Sequence, residues 1–343
     1  MTQSVVVVSA RPEGVFDGVG DFAAALARAL GETGLDASLL TAGEPDGFAR
    51  LEPARGRHVI VHYVPPHFTG ASAAAAGRWM AQARRDGGQA VLVVHEYLPP
   101  RTTLRRRIAS MLLARRLKEL IAQASAVVVT HGVARDDLAA LGLTASAHVI
   151  PVGSNVPVIP PSPHVVTPLS PFVIFGQPAS FAPALVRAVA TDLAPLRPVV
   201  WLARSADEIR SWAQREGVGI DRVDVRPGRP AEEIAAVLAT AAAAVAPIVD
   251  GVSTRRTTVA AAIAQGLPVI GTDGPCTSQV LRDSGAFALS PVDNAQAFVE
   301  QAGCVVADAT LRQTMSNAAH RLHATVFSWS HIARRYRDLL EVS

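Results

Sequence analysis

Short valine-rich runs punctuate the chain. In the first half they are Val5-Val6-Val7-Val8, Val59-Ile60-Val61, Val91-Leu92-Val93-Val94, Ala126-Val127-Val128-Val129 and His148-Val149-Ile150. These runs are apolar throughout rather than alternating with polar residues, which predicts strands covered on both faces. Alanine- and leucine-rich segments at about 21–33, 72–86, 102–123 and 133–141 predict helices between them. Strand-helix alternation of this kind implies a parallel sheet with right-handed crossovers. From Val156 to Pro171 the chain reads VPVIPPSPHVVTPLSP. Proline at this density forbids helix and interrupts any central strand, so 156–171 is expected to be a linker. The alternation then restarts. Strands are expected near 172–175, 199–203, 222–226, 243–247, 268–272 and 286–290, helices lie between them, and the tail from about 308 to 341 reads as two more helices. The pattern is that of two doubly wound α/β domains in tandem. Ligands in such sheets bind outside the carboxyl ends of the strands. With two domains, those edges are expected to face each other across a cleft.

Composition narrows the class. The chain has 343 residues, 49% hydrophobic and 18% charged, enough for two buried cores and too apolar for disorder. Its apolar runs all fall short of the ~18 residues a bilayer crossing needs. The N-terminal stretch lacks a basic leader and stops before Arg11, so it reads as a first strand rather than a signal peptide. Two cysteines, Cys276 and Cys304, suggest neither a zinc site nor a disulfide framework. A cytoplasmic location is the expectation. The net charge is +3, and Lys118 is the single lysine. Arginine must therefore fill any cationic role elsewhere.

The loops after the strands carry the candidate chemistry. The first runs from Ala10 through Asp17-Gly18-Val19-Gly20-Asp21 into a helix expected at about Phe22. Glycine lets backbone approach a ligand, and the helix N-terminus offers N–H donors. A plain turn with Asp21 as cap is the alternative. Two histidines end neighbouring strands, His62 and His95, the latter followed by Glu96 and the stiff Pro99-Pro100 pair. Each is either a cleft residue or a hydrogen-bonded structural histidine. The densest loop is Asp250-Gly251-Val252-Ser253-Thr254-Arg255-Arg256-Thr257-Thr258, which follows a strand and opens a helix. Ser253 or Thr254 is expected to cap that helix. Two permanent charges, Arg255 and Arg256, stand beside its free N–H groups, an arrangement suited to a diphosphate. A capped helix with two solvated arginines is the alternative.

The segment 101–118 interleaves Arg101, Arg105, Arg106, Arg107, Arg115, Arg116 and Lys118 with Ile108, Met111, Leu112 and Leu117. It reads either as a basic amphipathic helix for an anionic membrane surface or as a solvated face. Nucleic-acid binding finds no support, since the rest of the chain is not basic and has no stacking-aromatic motif.

Taken together, these segments resemble the GT-B-fold glycosyltransferases of the family 4 type, also called group 1. Asp17-Gly18-Val19-Gly20-Asp21-Phe22 resembles the family's glycine loop. Val149-Ile150-Pro151-Val152-Gly153-Ser154 resembles its I-P-N-G-V segment. Ala264 with Gly266-Leu267-Pro268-Val269-Ile270 follows A-x-G-x-P-V-V, Pro291-Val292-Asp293 the late P-x-D turn, and Phe327-Ser328-Trp329 the F-S-W before the last helix. The resemblance covers nearly the whole chain.

It implies two tandem Rossmann-like domains. These are an acceptor domain at 1–155 and a nucleotide-sugar domain at 172–325, with 326–343 packing back on the first. It implies sugar transfer from a nucleotide diphosphate-sugar, retaining and without a metal, in polysaccharide or glycoconjugate synthesis. His95 would contact the transferring sugar. Gly18, Gly20, Gly176, Asp250, Gly251, Ser253, Thr257 and Thr258 would bind the donor. Asp17, His62 and Glu96 would lie on the acceptor side. An acceptor carried on lipid would fit a membrane-peripheral 101–118 helix at the inner face of the membrane.

The departures are equally specific. The family's two donor-loop glutamates fall at Ser253 and Ala261, the pattern of a divergent DGVSxRR branch. Gln177 stands where an arginine usually follows the glycine, and the second half contains no lysine. A departing nucleoside diphosphate gathers negative charge that must be met by cations or N–H donors. Arg255 and Arg256 are the residues left to do this, which makes them, with His95, the catalytic candidates. A non-catalytic, glycosyltransferase-like binding protein is the second hypothesis. A nucleotide-sugar 2-epimerase ranks last, because that chemistry needs carboxylates and the donor loop offers only Asp250.

Overall fold

The structure is a computed structural model. It describes residues 3–9, 18–42, 47–96, 104–144, 146–159 and 166–341. The chain divides into two compact units, Met1–Val152 with Trp329–Ser343, and Gly153–Ser328.

In the first unit the elements run β1 (Ser4–Ser9), α1 (Gly18–Glu32), β2 (Asp36–Thr41), α2 (Gly47–Arg50), β3 (His58–Tyr63), α3 (Gly70–Arg85), β4 (Ala90–Val94), α4 (Leu104–Ile121), β5 (Ala126–Val129), α5 (Gly132–Ala140) and β6 (His148–Val149). The sheet is parallel in the order β2-β1-β3-β4-β5-β6. The valine runs of β1, β4 and β5 are apolar at every position because both faces are covered. Val5, Val7, Ile60, Val91 and Val93 pack under α1, while Val6, Val8, Val59, Val61 and Leu92 pack against α3 and α4 residues such as Trp79, Met80 and Leu120. All of Val5 to Val8 are fully buried. Strand β2 is an edge strand with a largely exposed pattern, which is why its Asp-Ala-Ser-Leu-Leu-Thr sequence carries no continuous apolar run.

The second unit runs β7 (Phe172–Phe175), α6 (Pro183–Ala188), β8 (Val199–Ala203), α7 (Ala206–Glu216), β9 (Val223–Pro227), α8 (Ala231–Thr240), β10 (Ala243–Ala246), α9 (Thr257–Ala264), β11 (Val269–Asp273), α10 (Gln279–Arg282), β12 (Phe287–Pro291), α11 (Ala295–Ala307) and α12 (Ala309–Leu322). Its sheet is also parallel, in the order β12-β11-β10-β7-β8-β9. Helix starts follow their caps. Ser205 Oγ accepts from Glu208 N at 3.3 Å, and Asn294 Oδ1 accepts from Ala297 N at 2.9 Å. Gln265, just past α9, holds the proline-rich segment by donating to Pro157 O at 2.6 Å and accepting from Ile159 N at 3.1 Å. The last helix, α13 (Trp329–Glu341), returns to the first unit and buries Ile332, Ala333, Tyr336 and Leu340 against α1.

Strand order reverses between β1 and β3 in the first sheet and between β7 and β10 in the second. Crevices for ligands form at such reversals, outside the carboxyl ends of the strands. The loops after β3, β7 and β10 therefore leave their sheets beside these reversals.

Candidate functional site

The loop after β10 folds around one carboxylate. Asp250 Oδ1 accepts from Arg256 Nη2 at 2.8 Å, and Asp250 Oδ2 accepts from Arg255 Nη2. Arg256 Nη1 donates in addition to Ser180 Oγ at 2.9 Å. The three charged side chains keep only 27%, 31% and 20% of their surface for Asp250, Arg255 and Arg256. Burial alone pushes the Asp250 carboxyl up. Arg256 and Arg255 outweigh it and hold Asp250 below the usual carboxylate range. Cys276 closes the far side: its N donates to Asp250 O at 2.9 Å, and burial together with the Asp250 charge pushes its thiol up.

The loop's path depends on glycine. Gly251 has φ +87°, and a Cβ there would lie 2.3 Å from Thr277 Oγ1 and 2.6 Å from Gly274 N. Gly274 in turn approaches the Asp250 carbonyl so closely that a Cβ would meet it at 2.8 Å. The two loops after β10 and β11 thus interlock backbone to backbone.

The expected cap is not the observed one. Arg256 occupies the N-cap of α9 with φ −95° and ψ 104°, and no side chain caps the helix. Ser253 is wholly buried, and its Oγ has no hydrogen-bond partner among the described residues; Thr254 is also buried. Both precede the N-cap position, Ser253 by three residues and Thr254 by two. Ser253 is therefore not placed to touch a donor, and Ala261, the other position of an expected glutamate, is buried too. Thr257 and Thr258 are the first two residues of α9, half-buried, and their N–H groups have no acceptor within the helix by geometry.

Gly176 follows β7 directly, with φ +136°. A Cβ there would come 3.2 Å from Phe181 Cζ and 3.7 Å from Thr258 Cγ2, so Gly176 lies against the first turn of α9. The strand reversal therefore brings Gly176, Ser180, Asp250, Arg255, Arg256, Thr257 and Thr258 to one strand-end cluster. Gln177 turns elsewhere. In the orientation that satisfies both its groups, its amide donates to Glu208 at 2.9 Å and accepts from Arg204 N at 3.3 Å. Ser180, Gly274, Thr277 and Cys276 had no sequence signal of their own. They follow β7 and β11, and only the sheet order makes them neighbours of the loop after β10.

In the first unit the two histidines form a pair. His62 Nδ1 and His95 Nε2 are 2.8 Å apart, the rings stack at 5.1 Å and 23°, and Phe22 of α1 meets both edge-on at 5.4 Å. The register explains the pairing: His62, the last residue but one of β3, lies opposite Val93 of β4, and His95 N donates to Tyr63 O at 3.2 Å. His62 is 1% exposed, and burial, then the neighbouring His95, holds it well below the ordinary histidine range. An acceptor-side role by direct contact does not fit that burial; the described polar contact of the ring is with His95. His95 is half-buried and Glu96 exposed.

Gly18 and Gly20 lie in the first turn of α1, which starts at Gly18 rather than at about Phe22; Gly20 is buried and a Cβ on Gly18 would meet nothing within 4 Å. Asp17 lies outside the described residues, as does Arg101 with the rest of 97–103. On α4, Leu117 and Leu120 face the core, while Ile108, Met111 and Leu112 are 53%, 72% and 51% exposed. Arg115 is exposed in a pair with Glu119, and Arg116 folds down to Phe68 O at 3.5 Å. No described helix is long and apolar enough to cross a membrane.

Comparison with known proteins agrees with this fold. Residues 181–308 match the family described as Glycosyl transferases group 1. No curated protein matches the chain in sequence. Among solved structures, the Anabaena protein HepE in complex with UDP is similar over 100% of both chains, with a TM-score of 0.68 at 15% identity. The sucrose-phosphate synthase of Thermosynechococcus elongatus is similar over 99% of this chain and 100% of its own, at 0.67 and 15%. A glycosyltransferase from Rickettsia africae is similar over 100% of both, at 0.67 and 12%. The matched span contains α9 and the loop that opens it, and the two parallel six-stranded sheets are those of GT-B structures. Residues 181–308 are thus similar to group 1 glycosyltransferases, in a chain with the GT-B fold.

Proposed function

We propose that the chain transfers a sugar from a nucleotide diphosphate-sugar, with the diphosphate on the first turn of α9 between Gly176, Arg255 and Arg256. The observation that carries this reading is the convergence of two guanidiniums and the N-terminal turn of α9 at the strand reversal. Those groups meet charge on the leaving diphosphate, the role that arginine and helix termini fill when charge develops in a transition state. Gln177 is committed to Glu208 and Arg204 and leaves that role to the two arginines. UDP in the HepE complex, on a protein of the same fold, supports a nucleotide diphosphate as ligand class. His95 meets the transferring sugar. The configuration at the sugar is retained, and the departing phosphate takes the acceptor's proton. The acceptor belongs to the first unit and is carried on lipid, with the exposed Ile108, Met111 and Leu112 of α4 resting on an anionic membrane surface, a reading that fits polysaccharide or glycoconjugate synthesis.

A panel of nucleotide sugars tests the reading through release of free nucleoside diphosphate. Release from one of them, falling on the order of 10²- to 10³-fold in Arg256→Ala, is the expected result. An unchanged kcat in Arg256→Ala would remove the arginines from the chemistry. The second reading, a non-catalytic nucleotide-sugar binding partner, is favoured by Asp250 already occupying both guanidiniums. It predicts binding with no release. For the membrane contact, flotation with vesicles should depend on anionic lipid; equal flotation with neutral vesicles removes it.

A further inference from the structure

His62 is a buried, polar side chain with one nitrogen committed and one orphaned. Its Nδ1 is 2.8 Å from His95 Nε2, while its Nε2 is buried and has no partner among the described residues. What packs on the ring is apolar or neutral: Phe22 from α1 edge-on and His95 stacked, with Ser9 and Val93 its register partners on β1 and β4. Burial keeps His62 uncharged, so it has a single ring proton.

One proton lies between the two rings, and there are two ways to place it. If His95 donates, the His62 proton must sit on Nε2, as a buried N–H with no acceptor. If His62 donates from Nδ1, its Nε2 is a bare lone pair. Orphaned N–H donors are the rarer defect in folded proteins. We infer that His62 is a positioning residue that donates its Nδ1–H to His95 Nε2 and so fixes His95 as the tautomer carrying its proton on Nδ1. The lone pair of His95 is then occupied, and its remaining ring proton is a donor. On that assignment the second ring nitrogen of His95 carries an N–H and not a lone pair. The weight of this for catalysis rests on the proposal that His95 meets the sugar; the tautomer itself does not.

The test is two-bond proton–nitrogen correlation on the full chain labelled with ¹⁵N-histidine, the signals being assigned with His62 variants. Both His62 and His95 should show a protonated Nδ1 and a bare Nε2. In His62→Asn the carboxamide N–H can stand in for the lost donor, and the His95 pattern should persist. In His62→Leu the donor is gone and the His95 proton should move to, or exchange with, Nε2. A proton found on His62 Nε2, or a His95 pattern indifferent to His62→Leu, overturns the inference. Nucleoside diphosphate release is read separately. If the spectra are as expected but His95→Ala leaves kcat unchanged, the sugar contact falls and the tautomer stands.

Discussion

Asp250 governs the electrostatics of the donor loop, because one carboxylate holds two guanidiniums. Its folded pKa is depressed. It therefore contributes stability that is fully present above the unfolded value near ~4 and is lost as pH falls through the lower folded value. Acid unfolding followed by fluorescence should show this loss below about pH 4, and Asp250→Asn should flatten that limb. An identical acid limb in the variant would mean the arginines are not held by the charge. Next to it, Gly251→Ala forces a left-handed backbone, worth about 1–2 kcal/mol, and a clash with Thr277 and Gly274 that adds about 1–3 kcal/mol. Denaturant unfolding of that variant should reveal the sum. The sequence announced Asp250, Arg255 and Arg256 because glycine, hydroxyls and arginines cluster within nine residues. It misassigned the cap, because Ser253 and Thr254 have capping chemistry but Val252 and Ser253 turn inward and the helix begins only after Arg256. It gave no hint that His62 and His95 bond to each other. That contact depends on β3–β4 register, which residue type does not encode.

Elements were legible in proportion to their burial. Every strand with a continuous apolar run was found, because two covered faces leave no polar position. Strand β2 was not, since an edge with exposed Asp36, Ser38 and Leu39 loses that signature, and the four residues of α2 are too few to show a period. Helix α13 shows what an apolar stripe does on one face. Ile332, Ala333, Tyr336 and Leu340 recur at helical spacing and cover α1. Tyr336 is wholly buried, and its hydroxyl has no partner among the described residues. Tyr336→Phe removes an unsatisfied polar atom and should be neutral or mildly stabilising. Tyr336→Ala leaves a cavity and should cost about 3–5 kcal/mol in thermal or denaturant unfolding. A larger loss in Tyr336→Phe than about 1 kcal/mol would show that the hydroxyl is bonded after all.

At the scale of the molecule, each unit is a parallel six-stranded sheet whose strand order reverses once beside its candidate residues. In the first unit His62, on β3, flanks the reversal, and His95, after β4, stands one strand from it. The arginine loop and Gly176 flank the reversal in the second. This follows from how a doubly wound sheet is built, since the two halves of the chain leave the centre in opposite directions and their outgoing loops part there. The central claim is that the second of these positions takes a nucleoside diphosphate. The most direct measurement is thermal stabilisation by UDP, GDP, ADP, CDP and dTDP, each at about 100 times its Kd where binding occurs, which adds about 2.7 kcal/mol to the native state. The account predicts a selective upward shift in Tm with one base, and loss of that shift, relative to the variant's own unliganded Tm, in Arg255→Ala/Arg256→Ala. No shift with any nucleotide, or a full shift in the double variant, would contradict it.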